Sequence, residues 1–262
     1  MEAGTPSALC DAAGAAVALA RSAVYRFLSL AFSPPLEDLI ALRAEGAALA
    51  RALDVLRDAG DGGVPAEDLL RVLQDADGPA LGEDYHLVFG HQASADCPLY
   101  ETPYLAAGVF QQAQQLADIA GFYRAFGLEA AEEAGERVDH ISLETEFMGA
   151  LAYREAYARV HHGPAEVALL REAQRAFLRD HLVRWVPLLA RLVGRRTDGF
   201  YLHLTHLAAA WVAREAEALG LPPADAAGIA IPEPGIALPA EDAQVQSAAA
   251  CTEEGCPLDD LP

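Results

Sequence analysis

Apolar residues recur at a helical period along almost the whole of this 262-residue chain. Val17, Ala20, Val24, Phe27, Leu28 and Ala31 fall on one helical face, as do Leu39, Leu42, Leu49, Leu53 and Leu56. Spacing of this kind builds a stripe that an α-helix can bury against a core. No stretch of convincing length alternates apolar and polar residues as a strand does. Ser33-Pro34-Pro35 ends the first helix, and a Gly/Asp turn at 58–63 ends the second. Pro65 suits the first position of a short helix carrying Leu69, Leu70 and Leu73, which Gly78-Pro79 closes. Further helices are predicted near 83–89, 104–126, 139–161, 164–193 and 198–219, with a kink at Pro187. The predicted class is all-α: one helical-bundle domain of about eight to ten helices over residues 1–221.

Residues 222–262 differ in texture. Pro, Ala, Gly and acids dominate there, and no basic residue follows Arg214. This segment is predicted to be an acidic, mostly extended or disordered tail. Ile229, Ile231, Ile236 and Leu238 give it apolar side chains that can fill a surface groove.

Charge narrows the function. With 18 basic against 39 acidic residues the net charge is −21, the wrong sign for a phosphate backbone or an anionic membrane surface. An acidic chain favours cationic partners, Arg-bearing peptides among them. Every basic residue is Arg. The absence of Lys excludes a Walker P-loop and a pyridoxal-phosphate Schiff base. Arg, Asp or Glu interrupts each long apolar stretch, so no window offers the roughly 20 uninterrupted apolar residues that span a bilayer. The first 20 residues carry Glu2 and Asp11 and no base, unlike a secretory signal, which makes the cytoplasm the expected location. Cys10, Cys97, Cys251 and Cys256 are too scattered for a disulfide framework, and no pair stands at zinc spacing.

Two constellations carry chemistry. Glu136 and Asp139-His140 precede a helix on which Glu144 and Phe147 follow; Asp139 is expected at the N-cap, with His140 and Glu144 on one face. A peptide grip and a merely capped helix start both remain open, while a metal lacks a third ligand. The other constellation is Tyr85, Phe89, Cys97, Pro98, Tyr100, Glu101 and Tyr104, part of an irregular loop that either lines a groove or staples itself to the core. Cys97 with His91 and Glu101, or with His140 and Glu144, admits a hydrolase or metal-enzyme reading, though no local signature of a Cys-His nucleophile is present.

Three blocks resemble the TorD/DmsD/NarJ-like redox-enzyme maturation chaperones. Tyr85-His-Leu-Val-Phe89-Gly90 with Cys97-Pro98-Leu99-Tyr100-Glu101-Thr-Pro-Tyr104 resembles that family's aromatic helix end and Pro-Tyr-Glu loop. Glu136-Arg-Val-Asp139-His140 with Glu144-Thr-Glu146-Phe147-Met148 resembles its Glu-x-x-Asp-His motif and following helix. Phe177-Leu-Arg-Asp-His181-Leu-Val-Arg-Trp185-Val-Pro187 resembles its late helix. Leu99 and Val138 stand where the family often has Pro.

The resemblance implies a non-enzymatic chaperone of helical fold. It would bind the twin-Arg signal peptide or N-terminus of the catalytic subunit of a molybdopterin-dependent oxidoreductase of the dimethyl-sulfoxide-reductase superfamily, and assist cofactor insertion before export. It implies no permanently bound cofactor, only transient contact with molybdopterin. Carried over, Asp139 and His140 sit at the partner groove, Tyr85, Phe89, Pro98, Tyr100 and Glu101 shape its wall, and Cys97, Tyr104, Glu136, Glu144 and Phe147 complete the site. An acidic groove with an apolar floor complements a peptide of two Arg followed by an apolar run. A structural subunit of a mature redox complex is the other non-enzymatic alternative.

Overall fold

The computed structural model describes residues 11–33, 39–60, 63–90, 96–106, 108–131 and 135–222. The expected tail and His91 lie outside them. The described residues form ten helices: α1 (Ala12–Phe32), α2 (Leu39–Asp58), α3 (Glu67–Asp75), α4 (Gly78–Phe89), α5 (Thr102–Leu105), α6 (Val109–Ala125), α7 (Ile141–His161), α8 (Pro164–Asp180), α9 (Leu182–Val193) and α10 (Phe200–Ala218). Among the described residues the one extended pairing is an isolated antiparallel bridge between Tyr100 and His140.

Helix α7 is the centre. Most of its circumference is buried, from Ile141 and Glu144 through Phe147, Met148 and Leu151 to Ala156 and Ala158, and the stripe of Glu146, Tyr153, Tyr157 and Val160 is exposed. Its most extensive neighbour is α1, which also meets α2. The α1–α7 approach is close because Gly149 faces Tyr25; an added Cβ would lie 3.3 Å from the Tyr25 Cβ. Helix α1 is long and apolar enough to cross a bilayer by length and composition. Here its apolar face, with Val24, Phe27, Leu28 and Phe32, is buried in the core.

Where the breakers act differs from the reading by pattern. Pro65 stays outside α3, whose N-cap is Ala66. Gly78-Pro79 opens α4 instead of closing the preceding helix, because a proline in the first turn gives up an N–H that has no helical partner anyway. Gly90, at φ 77°, ends α4 with its N–H on the His86 carbonyl. The helix predicted over 104–126 is two, α5 and α6. That predicted over 164–193 breaks at His181, whose φ and ψ are −120° and −94°, while Pro187 sits inside α9.

A buried charge network ties four helices together. Arg21 of α1 donates to both Glu215 oxygens on α10, to Glu155 on α7 (2.9 Å) and to Gln174 on α8 (2.6 Å). Gln174 Nε2 in turn donates to Glu155 (2.9 Å), as does Arg159 (2.7 Å). All four of Arg21, Glu155, Gln174 and Glu215 are buried. Each charge is matched by opposite charge and by hydrogen bonds, the condition under which ions survive in a core.

Candidate functional site

The site grows from two extended segments that meet ahead of two helices. Glu101 N–H donates to the Asp139 carbonyl (2.9 Å) and Ile141 N–H to the Leu99 carbonyl (2.9 Å). The bridge places the loop 97–101 directly beside the start of α7, so residues about forty positions apart share one cluster.

Asp139 is fully buried. It does not cap its own helix, as the sequence suggested, but the neighbouring one. Its Oδ2 accepts from the Thr102 amide (3.1 Å) and hydroxyl (2.8 Å) at the start of α5. Arg137 closes the carboxylate from the other side, with Nε on Oδ1 (3.0 Å) and Nη2 on Oδ2 (2.8 Å). The N-cap of α7 is His140, whose Nδ1 accepts from the Ser142 N–H (3.3 Å) and lies 2.6 Å from the Ser142 hydroxyl. Burial pushes the His140 pKa down, which suits an imidazole used as an acceptor.

Deeper in, Glu101 and Glu144 are both fully buried. Glu101 faces His181 at the α8–α9 junction, with His181 Nδ1 2.9 Å from Oε2 and 3.1 Å from Oε1. Glu144 receives the Trp185 indole N–H (3.2 Å). Burial, the adjacent Glu101 charge and a hydrogen bond with Glu101 all push the Glu144 pKa well up. A neutral Glu144 can donate to Glu101, so two carboxyl groups coexist where two carboxylates would repel. His181 Nε2 looks outward to Asp118 of α6, 3.6 Å away.

Around this polar centre lies an aromatic shell. Tyr104 lies over Trp185 (5.3 Å between centroids) and donates to the Pro98 carbonyl (2.8 Å). Phe147 meets Tyr123 and Phe177, each at 4.8 Å. Tyr85 and Phe89 form a triangle with Tyr201 that fastens α4 to α10. Cys97 is buried and its thiol pKa is pushed up to about 11, mainly by burial, the opposite of what a nucleophile needs.

Glu101, Asp139 and Glu144 thus converge, but beneath the surface. Tyr85, Phe89, Cys97, Pro98, His140 and Phe147 are buried with them. Tyr100, Tyr104 and Glu136 reach the surface in part. There the Tyr100 hydroxyl donates to Glu136 (2.5 Å), the Arg137 guanidinium covers the Tyr100 ring at 4.6 Å, and the ring edge meets His140 at 5.0 Å. The buried cluster is a frame, and this rim is what it presents. Thr102, Arg137, His181 and Trp185 belong to the frame and were not expected from pattern alone. A His and a Trp four residues apart at the start of an apolar helix were the available signal.

The family model described as nitrate reductase delta subunit matches residues 57–191, just over half of the chain. The chain is 29% identical over 134 residues to the perchlorate reductase assembly chaperone protein of Dechloromonas aromatica, covering 50% of this chain and 59% of that protein. It is 34% identical over 87 residues to the chaperone protein TorD of Photobacterium profundum, covering 33% and 39%. The matches therefore span well under two thirds of either relative. No solved structure gives a significant match.

Proposed function

The chain belongs to the nitrate reductase delta subunit family, and on that premise we propose that it is an assembly chaperone for a molybdenum-containing redox enzyme. The observation that carries this reading is that both relatives bear chaperone names, one of them for reductase assembly. Its client is the catalytic subunit of an oxidoreductase of the dimethyl-sulfoxide-reductase superfamily, engaged in the cytoplasm through a signal peptide or N-terminal segment. The molybdopterin is the client's, and the chaperone meets it only in passing.

The geometry supports a binding role. The Glu101–Glu144–His181 and Asp139–Thr102–Arg137 clusters fix the loop 97–106 against α7 and α9. That leaves Tyr100, Tyr104 and Glu136 as a prepared edge, aromatic with a carboxylate and with Arg137 over the Tyr100 ring, suited to an apolar peptide that brings a basic side chain to Glu136. A protonated, buried Cys97 thiol offers no support for hydrolysis. The test is a host strain from which the chain is deleted. The client subunit should be made but remain inactive and cofactor-poor, and activity should return with the wild-type chain. Full activity of every molybdoenzyme in the deletion strain would overturn the proposal.

A further inference from the structure

Several clefts open on the described surface, and one lies where the chain leaves the structure. It sits between α7 and α8, about 460 Å³ in volume, with Phe126, Arg154, Tyr157, His162, Leu169 and Leu170 on its walls. Tyr157 and Leu169 are 52% and 62% exposed. Large apolar side chains grouped on open surface mark a place where something docks. In a chain of net charge −21 this rim carries Arg154, His162 and the adjoining His161, whose ring lies 4.3 Å from that of Tyr157. The carboxylate on the rim, Glu166, is occupied by the Gly163 N–H.

The end of α10 lies against α8. Leu219 and Leu221 are buried, and Arg171, next to Leu170, donates to the Ala218 carbonyl (3.4 Å). Residues 223–262 follow, with eight acids and no base. Their first apolar group is Ile229, Ile231, Ile236 and Leu238, with Glu233 in its midst. Residues 223–228 span up to about 20 Å when extended, and a helix with its side chains is about 10–12 Å across. Ile229 can therefore pass from Leu221 around α8 to the cleft.

We infer that segment 229–238 of this same chain docks in the α7–α8 cleft, its apolar side chains against Tyr157 and Leu169 and Glu233 towards Arg154 and His162. Two other clefts fit this segment poorly. The cleft between α1, α2 and α7 carries Glu45 and Glu146 beside Arg26 and Arg154, and its Arg26 is already paired with Glu45 (2.6 Å), which leaves Glu146 to oppose an acidic segment. In the cleft between α2 and α3, Arg43 donates to three carbonyls, of Leu73, Gln74 and Ala76, with no His beside it on the walls, whereas Arg154 donates to one, that of Phe126 (2.6 Å), and has His162 beside it. The α2–α3 cleft also lies towards the other end of α10: Asp68 of α3 senses His203, about 23 Å of helix from Ala218.

The test uses the full chain with Leu169→p-benzoylphenylalanine, irradiated when dilute in a mixture with isotope-labelled copies and digested with trypsin. Because the chain has no Lys and its last Arg is Arg214, residues 215–262 emerge as one fragment. The expected product is an intrachain crosslink from the fragment bearing residue 169 to that fragment, falling several-fold with Ile229→Ser, Ile231→Ser, Ile236→Ser and Leu238→Ser combined. In the chain without the crosslinker, the same four substitutions should speed diethylpyrocarbonate modification of His162 several-fold. This second reading stands if the crosslinker perturbs folding. A crosslink only between copies, a yield indifferent to the four substitutions, or an unchanged His162 rate would overturn the inference.

Discussion

His181 Nδ1 lies 2.9 Å from Glu101 Oε2 in the protein interior, across 80 positions of sequence. The contact holds the loop 97–106 against the α8–α9 junction, and burial beside Glu101 pushes the pKa of the neighbouring Glu144 well up. The frame of the site therefore holds a carboxyl group whose burial ties stability to pH.

Glu144→Gln should change the pH dependence of stability. The folded pKa of Glu144 is raised above 4.5, so the folded chain keeps a proton that the unfolded chain releases. The stability from this group is fully present below about pH 4.5 and is lost as pH climbs from there to the folded value. The Gln variant lacks that loss. Relative to wild type it should gain stability with rising pH, by at most about 1.4 kcal/mol per unit. Urea unfolding at several pH values measures it. Parallel stability curves would mean that Glu144 is ionised in the fold.

Arg21→Met should be severe. It leaves the buried Glu155 with only Arg159 and Arg171, and Glu215 with only Arg214, as opposite charges, at a cost approaching the about 3–5 kcal/mol of a broken buried pair. Arg26→Met removes a pair whose Arg side chain is 73% exposed, and should cost under about 1 kcal/mol. Equal losses in urea melts would contradict the central place of the buried network.

Cys97 should react slowly with iodoacetamide in the native chain at pH 8, and rapidly once urea unfolds it. Mass mapping of the labelled cysteines distinguishes it from the other three. A native rate near that of an exposed thiol would contradict both its burial and its raised pKa.

Asp139→Ala should act on stability first. It leaves the buried Thr102 amide and hydroxyl without their acceptor, costing about 1–3 kcal/mol for each group so stranded. Tyr100→Phe and Glu136→Gln touch only the rim and should each cost less than about 1.5 kcal/mol. A change in client affinity in those two variants, with an unchanged thermal melt, would report binding itself. Thermal melts in which Asp139→Ala is as stable as wild type would remove it from the frame.

Much of this fold was legible in apolar spacing, because a helix must turn one face to the core and α1, α2 and α10 do so plainly. Boundaries set by tertiary contact were not. His181 breaks the α8–α9 run where it meets Glu101, and no Gly or Pro marks that position. Asp139 reads as the cap of the helix it precedes, yet the bridge of Tyr100 to His140 turns it towards Thr102. Arg21 gave a fair warning, since it occupies the same stripe of α1 as Ala18, Tyr25 and Leu28, all buried. The three residues that would have matched it lie in three other helices, and only the packed bundle brings them together.

The most direct measurement of the chaperone role is capture of the chain from its native host during induction of a molybdoenzyme, with identification and metal analysis of whatever is bound. The expected result is one catalytic subunit in its molybdenum-free form, with the chain absent from the purified, active enzyme. Recovery of the chain in stoichiometric amount in the active enzyme would contradict a transient chaperone and make it a structural subunit, and capture of no redox subunit at all would contradict both.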